Sequence, residues 1–261
     1  MTTTNFNLIL VHPGEFHADE TCAIATIYVL TGKRIPVQRR PPTPEELMDP
    51  AVLVLDQLRN LDWEIGAVDH HQDPSLPATN VLVLEKFFEG DERVKQKIMK
   101  SLFMPISDVD CGNATGGPGH INGLIRSLNQ MPDGFNTAIV ILERLIEAAI
   151  QTAKNAVEHE SVWESLEKDK FGIFRVSDHP TPILGWKELA EKEGIIFYVH
   201  PARGGYGITS RNTELFKIPA DSRQTFLHAS QFTAVYAERA HALAHAQELA
   251  ENIFEQVLKR Y

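Results

Sequence analysis

Two nearly continuous apolar runs, Phe6-Asn7-Leu8-Ile9-Leu10-Val11 and Ala51-Val52-Leu53-Val54-Leu55, each stop abruptly at a polar side chain, His12 and Asp56. Runs of this length without alternation mark strands buried on both faces, which means a parallel sheet covered by helices. A weaker run, Ile65-Gly66-Ala67-Val68, leads straight into Asp69-His70-His71-Gln72. Between the first two, His17 to Leu30 carries Ala18, Cys22, Ala25 and Val29 at helical spacing, so the unit is strand, turn, helix. Ile35-Pro36-Val37-Gln38 suits an edge strand, because Pro36 cannot donate to a central ladder. Pro44 to Glu46 opens a short helix with Thr43 as its cap. The fold class is therefore α/β, with an N-terminal parallel-sheet, Rossmann-like domain.

Helices are predicted next over Ala78 to Phe88, Glu92 to Phe103 and His120 to Leu128. The longest runs from Thr137 to about His159, with Ile139, Leu142, Leu145, Ile146, Ala149 and Ile150 on one side. A polar helical stretch through Trp163 and Leu166 reaches a boundary near Lys170. Beyond it, Phe171 to Val176, Ile195 to Val199 and Tyr206 to Thr209 read as strands, and Gln231 to Lys259 as an alanine-rich closing helix. A length of 261 residues accommodates this division into residues 1–170 and a smaller α+β C-terminal domain over 171–261.

The formal charge of −10 argues against a broad nucleic-acid coat while leaving room for a local basic groove. Two cysteines make no disulfide framework. The opening MTTTNFNLILVHPGEF has neither a basic stretch nor a long apolar run, and no segment approaches 18 uncharged apolar residues. A cytoplasmic protein without membrane association is expected.

The chemistry gathers where strands end. In an open α/β sheet, ligands bind outside the carboxyl edge, so His12, Asp56 and Asp69-His70-His71 should meet there. His17 and Asp19 follow in the next turn, and Asp108 and Asp110 of PISDVDCGN could reach the same edge. Imidazoles and carboxylates without an obligatory thiolate suit manganese, magnesium, zinc or iron. Asp19, Asp56, Asp108, His12, His17 and His70 offer enough ligands for two divalent ions, the arrangement that in phosphoryl hydrolysis activates water and steadies developing charge. Three carboxylates against +4 would leave the centre positive. A lone histidine after a strand is usually structural, and HHQ alone carries little weight; three strand ends with the same chemistry carry more.

Gly112 to Gly119 lacks the Gly-Lys-Ser/Thr ending of a phosphate loop and is expected to be a flexible rim. Arg39-Arg40 is expected to face solvent; turned toward the crevice, the pair would attract phosphate.

Together HPGEFHADE (12–20), the isolated Asp56, Asp69-His70-His71-Gln72 and the Asp108/Asp110 segment resemble the DHH phosphoesterase superfamily. More narrowly, the chain resembles the melanocyte proliferating gene 1 family, a "metal-dependent protein hydrolase" group. Phe226-Leu227-His228-Ala229-Ser230-Gln231-Phe232 is similar to a phrase near the end of that family, so the likeness covers nearly the whole chain. It implies a DHH-type metal-binding domain over 1–170, a substrate-binding domain over 171–261 and two divalent ions, manganese foremost. His12, His17 and Asp56 would hold one ion, and Asp19, Asp56, His70 and Asp108 the other, with Asp110 the alternative to Asp108. The resemblance further implies catalytic roles for Asp56, for His71 facing substrate and for Asp69 orienting the histidines. The family has aspartate followed by Asn-Gly where this chain reads Asp110-Cys111-Gly112, which leaves that motif open.

In the second domain, Arg203, Gly204, Gly205, Arg211 and His228 are the expected substrate contacts, with Tyr206 as a stacking platform. The implied activity is 3′-to-5′ exonucleolytic hydrolysis of short or single-stranded RNA or DNA. A nucleotide or pyrophosphate-like ester is the alternative substrate, and a non-catalytic metal- or RNA-binding protein the second alternative. A peptide hydrolase finds no HExxH. Alanine-rich helices would suit a homodimer interface as well as a core.

Overall fold

A computed structural model describes residues 6–117 and 119–259. It is a mixed α/β protein whose chain divides into two compact units, Met1–Lys154 and Asn155–Tyr261. The division falls earlier than the predicted boundary at 170. The cause is Trp163, which is fully buried against Ile183, Ala190, Ile195 and Tyr198 and so ties the end of the long helix to the second unit.

In the first unit, β1 (Leu8–Val11), β2 (Val37–Arg39), β3 (Val52–Leu55), β4 (Leu61–Asp62) and β5 (Ala67–Val68) form one sheet in the order β2-β1-β3-β5-β4. β1 pairs in parallel with β2 and β3, and β3 with β5; only β4 runs antiparallel, against β5. Every residue of β3 is buried, as its unbroken apolar run requires. After β1 the chain goes to one side to form β2, then returns to form β3 on the other. The crevice between the ends of β1 and β3 is thus a topological switch point, where diverging connections leave room for a ligand. Gly66 (φ +67°) makes the tight approach of β5 possible, since a Cβ there would lie 2.2 Å from the Val52 carbonyl oxygen.

Helix α1 (Ala18–Thr31) is buried continuously from Ala18 to Ile27 and packs on α2 (Thr79–Phe87). Its buried hydroxyls are satisfied locally: Thr21 and Thr26 donate to the carbonyls of His17 and Cys22. Gly32 ends it in the left-handed conformation, donating to the Tyr28 carbonyl. Helix α3 (Glu92–Ile98) passes through a π-helical segment, Met99–Phe103, into α4 (Met104–Asp110). Such bulges re-aim the residues that follow. Then come α5 (Ile121–Ser127) and α6 (Gly134–Ser165). On α6 the buried stripe is Ala138, Ile139, Leu142 and Ile146; Leu145, expected inside, is exposed. The predicted helix at Pro44 is only a single turn, Glu46–Met48.

The second unit holds a six-stranded mixed sheet, β10-β11-β9-β8-β7-β6. Its strands are β6 (Glu167–Lys168), β7 (Phe174–Val176), β8 (Phe197–Ala202), β9 (Gly205–Ser210), β10 (Gln224–Leu227) and β11 (Thr233–Tyr236), with helices α7 (Trp186–Glu193) and α8 (Arg239–Leu258). The predicted helix from Gln231 begins only at Arg239, because Thr233 to Tyr236 pair with β9 and bury Ala234 and Tyr236. Alternating burial and the β-branched and aromatic residues there outweigh alanine's helical preference.

Candidate metal centre

The turn between β1 and α1 builds the first wall. His17 precedes α1, and its amide donates to both carboxylate oxygens of Glu20 at 2.8 and 2.9 Å. This fixes Asp19 and Glu20 in the first helical turn, where the helix end favours carboxylates. Glu20 Oε1 then lies 3.2 Å from His12 Nε2, whose other ring nitrogen is hydrogen-bonded to the Pro13 carbonyl. Glu20 was not among the expected ligands. Its place in the His-Ala-Asp-Glu turn, one residue past Asp19, was the available signal.

Asp56, leaving β3, adopts φ 56°, a left-handed conformation that a non-glycine residue holds only when its surroundings enforce it. Its amide is anchored to the Val68 carbonyl, and Thr79 donates to Oδ1 at 3.2 Å. The carboxylate thereby sits between three imidazoles: His12 at 3.8 Å, His70 at 3.5 Å and His71 at 3.5 Å.

Asp69 is fully committed to the protein. Oδ1 accepts from the amides of His70 and His71 and contacts His71 Nδ1 at 2.7 Å; Oδ2 accepts from the Arg59 amide at 2.6 Å. Burial works against its charge, but the His71 and Arg59 amides and the His71 ring outweigh this and hold the carboxyl below its usual range. Asp69 thus holds the His70 and His71 backbone and the His71 ring in place. His70 turns inward and is buried, whereas His71 is half exposed at the mouth of a cavity of about 350 Å³ lined by His12, His17, Asp56, Arg59, Asp69 and His71.

From α4, Asp110 and not Asp108 reaches the cluster. Asp110 Oδ2 lies 3.2 Å from His70 Nε2. Two positions on a helix are roughly 200° apart, so only one of the pair can face inward, and Asp108 belongs to none of the ligand groups among the described residues. Cys111 Sγ stands 3.8 Å from the other ring nitrogen of His70.

Four ligand sets interlock: His12/His17/Glu20/Asp56, Asp56/Asp69/His70/His71, His17/Asp19/Asp110 and His70/Asp110/Cys111, with donor atoms within 4.8 Å in each. Asp56, His17, His70 and Asp110 each belong to two sets, so neighbouring ions could share ligands. The donor set fits a metal for a physical reason. Asp19 is fully buried, and no donor in the protein reaches either carboxylate oxygen, while its charged neighbours Asp56, Glu20 and Asp110 are all acidic. Unpaired buried polar groups are costly, and cations remove that cost.

Protons play the same part in the metal-free site. Burial, followed by the charges of Asp56, Glu20 and Asp110, pushes the Asp19 carboxyl well above its usual range. Glu20 raises His12 to about 9. For His70, burial favours the neutral ring, but Asp110 and Asp56 overcome it and lift the group to about 10. The expected charge balance also changes. The four sets hold five carboxylates, Asp19, Glu20, Asp56, Asp69 and Asp110, so two divalent ions would leave the carboxylate charge slightly in excess rather than a positive centre.

The residues expected to bind substrate in the second unit mostly have structural duties. Arg203 and Gly204 form the exposed β8–β9 turn. Gly205 is required by packing: at φ +146°, a Cβ would fall 1.9 Å from the Tyr236 carbonyl oxygen. Arg211 donates to the Ala190 carbonyl, and Tyr206 to Asp178. His228 is hydrogen-bonded to Ser230 and packs on Phe232. Of the Gly112–Gly119 rim, Pro118 lies outside the described residues.

No family model, curated protein or solved structure matches the chain. Among the described residues no helix is long and apolar enough to cross a membrane.

Proposed function

We propose that this protein is a metal-dependent phosphodiester hydrolase of the DHH type, acting from the 3′ end on short or single-stranded RNA or DNA. The observation that carries the reading is Asp19, a buried carboxylate with both oxygens unpaired, enclosed by Asp56, Glu20 and Asp110 at the switch point of a parallel sheet. His12, His17, Glu20 and Asp56 would hold one divalent ion, and Asp19, Asp56, His70 and Asp110 a second, manganese being the expected metal. Bound ions of this kind supply Lewis acidity and an activated water for attack at phosphorus. The chain's own part is to position. Asp69 locks the histidine turn, His70 is held inward, and His71 is presented at the mouth, where its ring can contact a phosphate oxygen. The DHH-type first domain and substrate-binding second domain belong to this same reading.

The cavity over the centre, about 350 Å³, lies at the small end of ligand pockets. That size favours a mononucleotide-sized group at the reacting position and supports, as second reading, hydrolysis of a nucleotide-like ester. End-labelled single-stranded RNA of about 5 to 20 nucleotides, incubated with metal-stripped protein plus manganese, separates the readings. We expect a ladder shortening from the 3′ end, abolished by chelator and by Asp56→Asn. Cleavage confined to mono- or dinucleotide esters would select the second reading, and full activity in a folded Asp56→Asn protein would refute both.

A further inference from the structure

The turn that carries His12 and His17 has a second face. Its middle residues, Gly14, Glu15 and Phe16, wall a separate cavity of about 450 Å³ whose far side is formed by Arg39, Met131, Asp133 and Phe135. Arg39 is held by aromatic rings: its guanidinium carbon lies 5.4 Å from the Phe16 ring centre and 4.8 Å from that of Phe135, and the two rings meet edge to face at 5.5 Å. Such contacts fix a guanidinium while leaving its hydrogen-bonding edge available. Arg39 Nη2 donates to the Gly14 carbonyl and Nε is buried without a partner, so Nη1 with the second hydrogen of Nη2 is the edge left for a ligand. The neighbouring Arg40 is consumed by Glu46, whereas none of the ion pairs among the described residues involves Arg39. Arg39 is therefore a cavity-lining guanidinium held by two rings and one carbonyl, with no carboxylate paired to its charge.

Arg39 does not face a purely cationic recess. Glu15 and Asp133 also line the cavity, which disfavours a free phosphate, although Arg126 pairs with Glu15 at 3.2 Å. A neutral planar heterocycle that offers acceptors to an arginine and N–H donors to a carboxylate suits this mixture. Phe16 is almost fully buried and serves to hold Arg39, so the stacking surface is the part-exposed Phe135 ring and the guanidinium, and arginine is the usual partner of the guanine acceptor edge. We infer that the Phe16–Arg39–Phe135 cavity is a nucleobase subsite, best matched to guanine, for the nucleotide next to the phosphate at the metal centre. The inference rests on the hydrolase reading for its link to a phosphate, because Phe16 is bonded directly to His17. It does not rest on that reading for binding the base.

The test therefore uses nucleosides, which carry no phosphate. Calorimetric titration of the full chain with guanosine should give saturable binding, tighter than for cytidine. Arg39→Lys keeps the charge but loses the fork, and should weaken guanosine at least about fivefold, the low end for a lost bidentate base contact. Met131→Trp places bulk at the rim without touching Arg39 and should abolish binding; Met131 is already about half exposed, so the fold should tolerate it. No guanosine binding, or equal binding by wild type and both variants, overturns the subsite. So does binding of inorganic phosphate that Arg39→Lys abolishes while guanosine does not bind, which would make the recess an anion site. Guanosine binding lost in the variants, in a protein that cleaves no phosphodiester under any metal, leaves the subsite standing and removes the hydrolase reading. Manganese-dependent cleavage without guanosine binding does the reverse.

Discussion

Replacing Asp19 by asparagine should make the metal-free protein more stable and the metal-loaded protein less so. Asp19 is completely buried, and neither oxygen is hydrogen-bonded. Its surroundings include Asp56, Glu20 and Asp110, all repelling a negative charge. An unsatisfied buried polar group costs about 1–3 kcal/mol, and a charged one more. Asparagine keeps the shape and is neutral without taking up the proton that Asp19 must bind on folding, so a gain of about 1–3 kcal/mol is expected without metal near neutral pH. For a protein of this size that is roughly 2–4 °C in melting temperature per kcal/mol. The pH dependence has a definite sign. An acid whose pKa is raised on folding destabilises the fold once pH exceeds its unfolded value, so the advantage of Asp19→Asn should be absent near pH 3 and grow as pH rises. Adding manganese should invert the ranking. The wild type gains about 2.7 kcal/mol at a hundredfold excess over its dissociation constant, and the variant, lacking a ligand, gains much less. Thermal unfolding of stripped and loaded protein across pH 4 to 8 reads all of this. A metal-free variant less stable than wild type, or one stabilised equally by manganese, would show that Asp19 is ordinary core and not a ligand.

Metal affinity itself should rise with pH. His12 near 9 and His70 near 10 are protonated at neutrality in the metal-free protein and must lose those protons to ligate. Titrations between pH 6.5 and 8.5 should show proton release and tighter binding at each step, and pH-independent affinity would contradict their assignment as ligands. The same raised values mean that the stripped protein loses stability as pH climbs from about 6.5 through 10. Asp110→Asn should weaken metal binding by about ten- to a hundredfold or more while Asp108→Asn leaves it unchanged; the opposite pattern would reverse the register of the helix they share. Gly66→Ala must displace the Val52 carbonyl, 2.2 Å from the new methyl, and also occupy a left-handed conformation. A loss of about 1–3 kcal/mol in denaturant unfolding is expected.

What could be read from the sequence was whatever rests on contiguous residues. Unbroken apolar runs gave β1 and β3, and the polar residues ending them gave His12 and Asp56, because parallel strands bring their carboxyl ends together whatever their separation in the chain. The turn at Asp69 could be read for the same reason, since its hydrogen bonds to the His70 and His71 amides span only two residues. Asp110 and Asp108 could not be distinguished by spacing. The choice depends on how the π-helical segment Met99–Phe103 rotates the helix that follows, a property of the packed structure and not of a short motif. Glu20 was hidden for a different reason: a carboxylate in the first turn of a helix has an ordinary capping role, and it does perform that role for the His17 amide while facing His12. In the second unit, glycines and arginines suggested substrate contacts, yet Gly205 serves the close approach of β9 to Tyr236, and Arg211 lies 3.4 Å from the Ala190 carbonyl at the end of α7. The contrast is instructive in energetic terms. Gly205 has a packing neighbour that accounts for its identity, while the Asp19 carboxylate and the Nε of Arg39 are buried polar groups with no hydrogen-bond partner in the protein. A fold tolerates such groups when something else completes them, and in the first unit Asp19 belongs to the candidate metal centre and Arg39 lines a second cavity.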